Sequence, residues 1–181
     1  MKAARAHLAI ALLVLALPAL AQNAPVATDV KNFGDWTLHC VPGALPPCEM
    51  FQTTRNKANR RVTSIAIAFL PRQERYALQI STPLGVSFAK GVKIAASGFT
   101  SQAMPYLRCD SAGCYVQGAI QSGALDALGA SRPEAKLSMV FVDGRSVELP
   151  LSLRGFSDAR TAMESLAREK LAQAKPASPR R

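Results

Sequence analysis

Large apolar residues recur at every second position along most of this chain, with turn-forming residues between the runs. That is the pattern of short strands in a sandwich or barrel. Phe33-Gly34-Asp35-Trp36-Thr37-Leu38 alternates into Cys40, and Glu49 to Arg55 predicts a second short strand. Thr63, Ile65, Ile67 and Phe69 set large residues on one face, with Ser64, Ala66 and Ala68 on the other. Both faces are apolar enough to predict a central, largely buried strand. Tyr76, Leu78 and Ile80 repeat the period of two after a turn around Pro71 to Glu74, and a further strand is expected from Cys114 to Ile120. Leu137, Met139 and Phe141 lead to Asp143-Gly144, a hairpin signal, and Val147, Leu149, Leu151 and Leu153 return. Pro150 has no amide to donate, which marks this last strand as an edge or a bulge.

Two segments change period. Ser122 to Leu128, closed by Gly129, gives one or two helical turns. From Ser157, a predicted N-cap with Asp158 in the first turn, a helix runs to about Ala172. Phe156, Ala159, Met163 and Leu166 line one of its faces, and Arg160, Glu164 and Arg168 follow four apart on the other, where they can pair.

The first residues fit neither period. Lys2 and Arg5 precede an uncharged run from Leu8 to Leu17, then Pro18 and the small-x-small box Ala19-Leu20-Ala21. This predicts a secretory signal cut after Ala21. A transmembrane anchor would need about 20 apolar residues, twice this run, and no later stretch is long enough to span a bilayer. The expected organisation is a signal peptide at 1–21, a flexible leader at 22–31 and a β-sandwich domain at 32–155. A helix at 156–172 packs on it, and a disordered basic tail at 173–181 follows.

The chain has 181 residues and a formal charge of +10. Cleavage would remove two of its 22 basic residues and none of its 12 acidic ones, leaving +8. That sign favours anionic partners such as lipopolysaccharide, phospholipid head groups or cell-wall polymers. Cys40, Cys48, Cys109 and Cys114 all fall after the signal, and an even count in an exported chain predicts two disulfides. Sequence does not choose among the three connectivities. The local pairs Cys40–Cys48 and Cys109–Cys114 are favoured because each brackets turn-forming residues, VPGALPP and DSAG. The spacings match no zinc knuckle, and a C-x-x-C redox motif is absent.

Chemistry is sparsely marked. His39 is the one histidine after the signal and directly precedes Cys40; the simpler reading is a half-exposed strand residue. There is no G-x-S-x-G elbow, and Gly85 and Gly91 are too far apart for a dinucleotide fingerprint. Asp110 and Asp143 sit in turns, where Asp serves the backbone. A periplasmic hydrolase with an unmarked acidic site is therefore the weakest reading. No catalytic residue, cofactor or metal is expected. The densest charge lies in Arg55-Asn56-Lys57-Ala58-Asn59-Arg60-Arg61. Arg55, Lys57, Arg60 and Arg61 are candidate contacts to an anionic partner; a solvated hairpin tip is the simpler reading. No aromatic residues interleave with these cations, so nucleic acid is not expected. Trp36, the only tryptophan, reads as core.

Several blocks together resemble a known family. These are Phe33-Gly34-Asp35-Trp36 with Cys40, Cys48-Glu49-Met50, Pro83-Leu84-Gly85-Val86 with Lys90-Gly91-Val92, Arg108-Cys109-Asp110 with Gly113-Cys114, and Leu149-Pro150-Leu151-Ser152-Leu153-Arg154-Gly155-Phe156. In this order they are similar to the invasion-associated locus B family, over about Asn32 to Lys170. The resemblance implies a signal-bearing protein of Gram-negative bacteria, periplasmic or associated with the outer membrane. It also implies an all-β fold, an immunoglobulin-like β-sandwich with a C-terminal α-helix. It supplies no catalytic residues, and the basic loop is not part of it. The expected function is a non-enzymatic envelope protein that binds an anionic component or another protein. The alternative is a secreted or surface-displayed factor that contributes to host-cell interaction.

Overall fold

The computed structural model describes residues 26–55, 58 and 61–174, with Arg61 given by its backbone. The signal peptide expected at 1–21 and the tail from Lys175 lie outside the described residues. Among the described residues eleven strands and two helices follow one another. They are β1 (Thr28–Phe33), β2 (Trp36–Cys40), β3 (Cys48–Arg55), β4 (Arg61–Leu70), β5 (Arg75–Thr82), β6 (Val92–Ala96), β7 (Phe99–Thr100), β8 (Arg108–Asp110), β9 (Gly113–Ile120), α1 (Ser122–Ala130), β10 (Glu134–Val140), β11 (Ser146–Ser152) and α2 (Phe156–Gln173).

β1 to β5 form an antiparallel meander extended by β9 and β8, seven strands in the order β1-β2-β3-β4-β5-β9-β8. β4 is central, as its two apolar faces predict. The second sheet has the order β11-β10-β6-β7, so β11 with Pro150 is an edge. The register puts Trp36, Gln52, Ile65, Ile80 and Val116 in one row and Leu38, Met50, Ile67 and Leu78 in the next. All are buried. The second sheet meets this inner face with Val92, Ile94, Ala135, Leu137, Met139 and Leu151, which alternate with exposed residues along their strands. α2 lies beside that sheet over the same face and buries Phe156, Ala159, Met163 and Ala167. The protein is thus a β-sandwich with a C-terminal helix. Burying each of these large side chains contributes about 1.5–3 kcal/mol, an upper figure for a chain that is partly collapsed when unfolded.

Four local expectations are corrected. The leader expected at 22–31 gives its last residues to β1, because the β2 edge offers Thr28 to Phe33 a ladder although their side chains are mostly exposed. The run from Phe33 to Leu38 is not one strand. Gly34 (φ +55°) turns the chain, and Phe33 pairs back on Trp36. Ser157 is not the N-cap of α2: the helix starts at Phe156, behind Gly155 in a left-handed conformation (φ +78°). It also ends at Gln173, one residue into the expected tail, and Ala167 rather than Leu166 takes the fully buried place on its face.

Gly34 and Gly155 explain one another. A Cβ on Gly34 would lie 2.6 Å from the Arg154 carbonyl oxygen, and one on Gly155 would lie 2.1 Å from that of Phe33. The β1–β2 turn and the β11–α2 junction therefore cross backbone against backbone. Around the crossing, the Asp35 amide donates to the Arg154 carbonyl (3.2 Å), and the Arg154 guanidinium grips the Asp35 carboxylate with Nε (2.9 Å) and Nη2 (2.7 Å). Trp36 Nε1 donates to the Ser152 carbonyl at 2.9 Å, and its ring meets Phe156 edge-on at 5.2 Å. Gln52, buried on β3, donates to the same carbonyl (3.0 Å) and accepts from the Ser152 amide (2.9 Å), so its side chain continues the ladder onto the edge strand β11.

The Arg154 guanidinium holds the Asp35 carboxyl well below the usual range, at about 2. A carboxyl whose folded value is lowered contributes stability that is complete above its unfolded value near 3.8 and is lost as pH falls towards 2. Asp35→Asn is therefore expected to lower stability at pH 7 and to flatten its decline between pH 4 and 2. Equal acid slopes in urea titrations of the two proteins would show that the pair does not contribute.

Candidate functional site

The two disulfides mark opposite ends of the large sheet. Each joins residues directly opposite in register, Cys40 with Cys48 and Cys109 with Cys114, with Cα atoms 4.0 Å apart. Cys40 and Cys48 sit at the end of the Pro71–Glu74 turn. There Arg168 of α2 pairs with Glu74, while Arg160 bridges Asp126 (2.7 Å), Glu164 (2.9 Å) and the Tyr76 hydroxyl (3.1 Å). Those charges are used in docking the helix.

The other end gathers the connections. Thr53, Ser64, Ser81, Tyr115 and Arg108 form one row across β3, β4, β5, β9 and β8, and beyond it each strand ends or begins. Arg55 closes β3 opposite Arg61, which opens β4, so the basic connection leaves the sheet here. Of the sequence candidates, the structure places Arg55, exposed, and the backbone of Arg61 at this end; Lys57 and Arg60 lie outside the described residues.

The neighbouring connections carry no charge run, although the blocks at Pro83 to Val92 and Arg108 to Cys114 are among those that resemble the family and Asp143-Gly144 marks the hairpin. The loop 83–91 carries Lys90 and locks onto the β10–β11 hairpin: the Ser87 amide donates to the Val140 carbonyl and the Val142 amide to that of Gly85, both at 2.8 Å. The segment before β8 packs Tyr106 on Phe88, with ring centroids 5.5 Å apart. Gly91 and Gly113 let these loops approach, since a Cβ on either would sit within 2.5 Å of a backbone oxygen, that of Met104 or Thr82. Arg108 stacks on Tyr115 (4.2 Å) and pairs with Asp110 (2.6 Å); Arg145 lies over Phe141 (5.2 Å) and pairs with Asp143 (2.7 Å). The Ala112 amide and then Arg108 lower the Asp110 carboxyl, and the Arg145 side chain lowers that of Asp143. Both stay ionised at neutral pH, so these two loops carry balanced charge. The connections 55–61 and 83–91 contain cations and no acid.

Among the described residues the remaining carboxylates and His39 do not converge on one site. His39 lies on the outer face of the large sheet, 3.2 Å from Glu49. An open groove of about 890 Å³ over the second sheet includes Glu134, Lys136 and Glu148. Glu148 stands opposite Ser138, four positions from Glu134 along β10, and Lys136 holds it at 2.7 Å. Four residues of strand set the two backbone positions about 13 Å apart along the sheet, and Lys136 neutralises Glu148 between them. Among the described residues no three His, Cys, Asp or Glu side chains are grouped as a metal would require.

A family model described as "Invasion associated locus B (IalB) protein" matches residues 36–164, which span the chain from Trp36 to Glu164 in the middle of α2. The chain belongs to this family. The match takes in both cysteine pairs and both motifs that meet at the Gly34–Gly155 crossing, apart from the turn residues just before Trp36. A crystal structure of invasion associated protein B from Bartonella henselae superposes with a TM-score of 0.69 at 22% identity. It covers 78% of this chain and 99% of that one, and shows the same sandwich. No curated protein matches. No helix among the described residues is long and apolar enough to cross a membrane.

Proposed function

We propose that this member of the invasion associated locus B family is a non-enzymatic binding module of the cell envelope. It engages an anionic envelope component through the end of the sandwich where β3, β5, β8 and β10 hand on to the next strand. The observation that carries this reading is the connection between Arg55 and Arg61. It holds four cations and no acid, and it leaves the sheet at the same end as the loop that carries Lys90. Export to the periplasm or the outer membrane, expected from the signal sequence, puts such a surface among anionic polymers.

Reversing Arg55, Lys57, Arg60 and Arg61 to Glu is expected to cut retention on immobilised lipopolysaccharide at low salt by roughly tenfold or more, since each basic residue near an anionic surface is worth about 1 kcal/mol. Wild-type retention should itself fall in 1 M salt, where the screening length is about 3 Å. Unchanged retention of the variant would leave the loop merely solvated.

The name of the Bartonella protein favours a second reading, a surface-displayed factor in host-cell interaction. Cleavage of the native protein by protease added to intact cells supports that reading, and complete protection removes it.

A further inference from the structure

On the outer face of the large sheet, register sets Phe51, Ala66, Gln79 and Gln117 in one row and Glu49, Ala68, Ala77 and Ala119 in the next. Alanine is depleted in strands because it packs little on the pleat. Here Ala66, Ala68 and Ala77 floor an open depression of about 240 Å³. Pro46 and Glu49 wall it on the β3 side, and Gln79 and Gln117 wall it on the side of β5 and β9. Gln117 donates to Gln79, which uses one of the four amide N–H groups of the pair, and both side chains are exposed. Across the floor, the Glu49 carboxylate is 42% exposed and has His39 beside it at 3.2 Å. Among the described residues, none of those lining the depression is a Lys or an Arg, in a chain of formal charge +10.

We infer that this depression binds one pyranose unit of an uncharged polysaccharide of the cell envelope. A pyranose is amphipathic: its axial C–H groups form an apolar face, and its equatorial hydroxyls donate and accept around the edge. The depression has the complementary form. Its floor is three alanine methyl groups, and its rim offers amide donors, amide oxygens and one carboxylate. An apolar lining with a few fixed polar groups is the general form of a small-molecule site. Phe51, opposite Ala66 in register and 5.3 Å from the His39 ring between centroids, extends the apolar surface for a neighbouring unit of the polysaccharide. Two other occupants fit this surface less well. A polyanion would meet the Glu49 carboxylate and no cation. An extended peptide adds to a sheet through a free edge, and β4 and β5 have strands on both sides. Glu49 and Arg55 lie at opposite ends of β3, so this site is separate from the basic connection and needs no charge attraction. It stands or falls apart from the anionic-partner reading.

The test uses protein purified from the exporting cell, isotope-labelled at its alanine methyl groups. The probes are the neutral hexasaccharides maltohexaose, cellohexaose and N-acetylchitohexaose, with polygalacturonate as an anionic counterpart. At least one neutral probe is expected to shift the NMR signals of the Ala66, Ala68 and Ala77 methyl groups, with an affinity that salt does not change. Polygalacturonate should leave those signals in place. Gln79→Ala combined with Gln117→Ala should weaken the binding by roughly tenfold or more. Ala77→Ile fills the depression with a side chain that suits a strand, so it should abolish binding and leave the urea midpoint unlowered. Methyl signals that no neutral probe moves at millimolar concentration, or full binding by Ala77→Ile, would overturn the site. Shifts caused by polygalacturonate alone would assign the depression to an anion, and shifts that follow protein concentration without sugar would assign the face to a second copy of the chain; either result sinks the inference. Retention on lipopolysaccharide, measured on the same variants, should not change. Its absence from wild type would count against the anionic-partner reading alone.

Discussion

Replacing Gly155 with alanine is expected to cost about 3–5 kcal/mol, enough to leave a domain of ordinary stability (about 5–15 kcal/mol) partly unfolded at growth temperature. Two effects add. At φ +78° any side chain brings the left-handed penalty of about 1–2 kcal/mol. The new methyl group would also lie 2.1 Å from the Phe33 carbonyl oxygen and 2.8 Å from the Gly34 nitrogen, both backbone atoms. Neither can swing away as a side-chain tip could, so the β1–β2 turn and the start of α2 must separate. That separation strains the Asp35–Arg154 pair and the Trp36–Ser152 hydrogen bond that close the crossing. Gly98 isolates the first effect, for it has φ +79° and a methyl group there would meet nothing within 4 Å. Gly98→Ala should therefore cost only about 1–2 kcal/mol. Urea unfolding followed by the fluorescence of Trp36 measures both variants. Equal losses would refute the crowding argument.

Much of this fold is legible in sequence where local pattern and tertiary demand agree. The period of two in β4, β5, β10 and β11 is written in large apolar residues, because those strands turn one face to a common core. The adjacency of each cysteine pair follows from the turn residues between its members. What local pattern does not carry is also consistent. β1 owes its place to an edge ladder and a Lys170–Asp29 pair (2.8 Å), so its side chains give little signal. β7 and β8 are two and three residues long, and β8 is wholly exposed, held by its pairing with β9 and by Cys109. Ser157 looks like an N-cap because Ser, Asp and the apolar period follow the usual order. The crossing at Gly155 sets the helix start instead, and that crossing joins residues more than a hundred positions apart. The loop end follows the same logic. The basic run from Arg55 stands out by composition alone. The loop 83–91, the segment before β8 and the β10–β11 turn are apart in sequence, and only the closure of the sandwich brings them together.

Trp36→Ala tests whether the crossing is also what holds α2 on the sheet. The side chain is 1% exposed, packs edge-on against Phe156 and donates to the Ser152 carbonyl. Its removal leaves a cavity between β2 and the first turn of the helix, at a cost of about 3–5 kcal/mol. Trp36→Phe keeps most of the apolar contact. The Ser152 carbonyl it abandons still accepts from Gln52 at 3.0 Å, so that variant should lose only about 1–2 kcal/mol. The two losses report packing and hydrogen bonding separately, and far-UV circular dichroism serves for both because each variant lacks tryptophan. The location of the damage is the sharper test. Phe156 is the first residue of α2, while the helix is fastened further along by Arg160 to Tyr76 and Asp126, by Glu164 to the Tyr76 hydroxyl, and by Arg168 to Glu74. Hydrogen exchange in Trp36→Ala should therefore speed most in the first turns of α2 and in the β1–β2 turn, less in the Arg160–Arg168 stretch, and least in the β10–β11 hairpin. A uniform rise across both sheets would mean that Trp36 supports the core as a whole and that the crossing is not a distinct fastening for the helix.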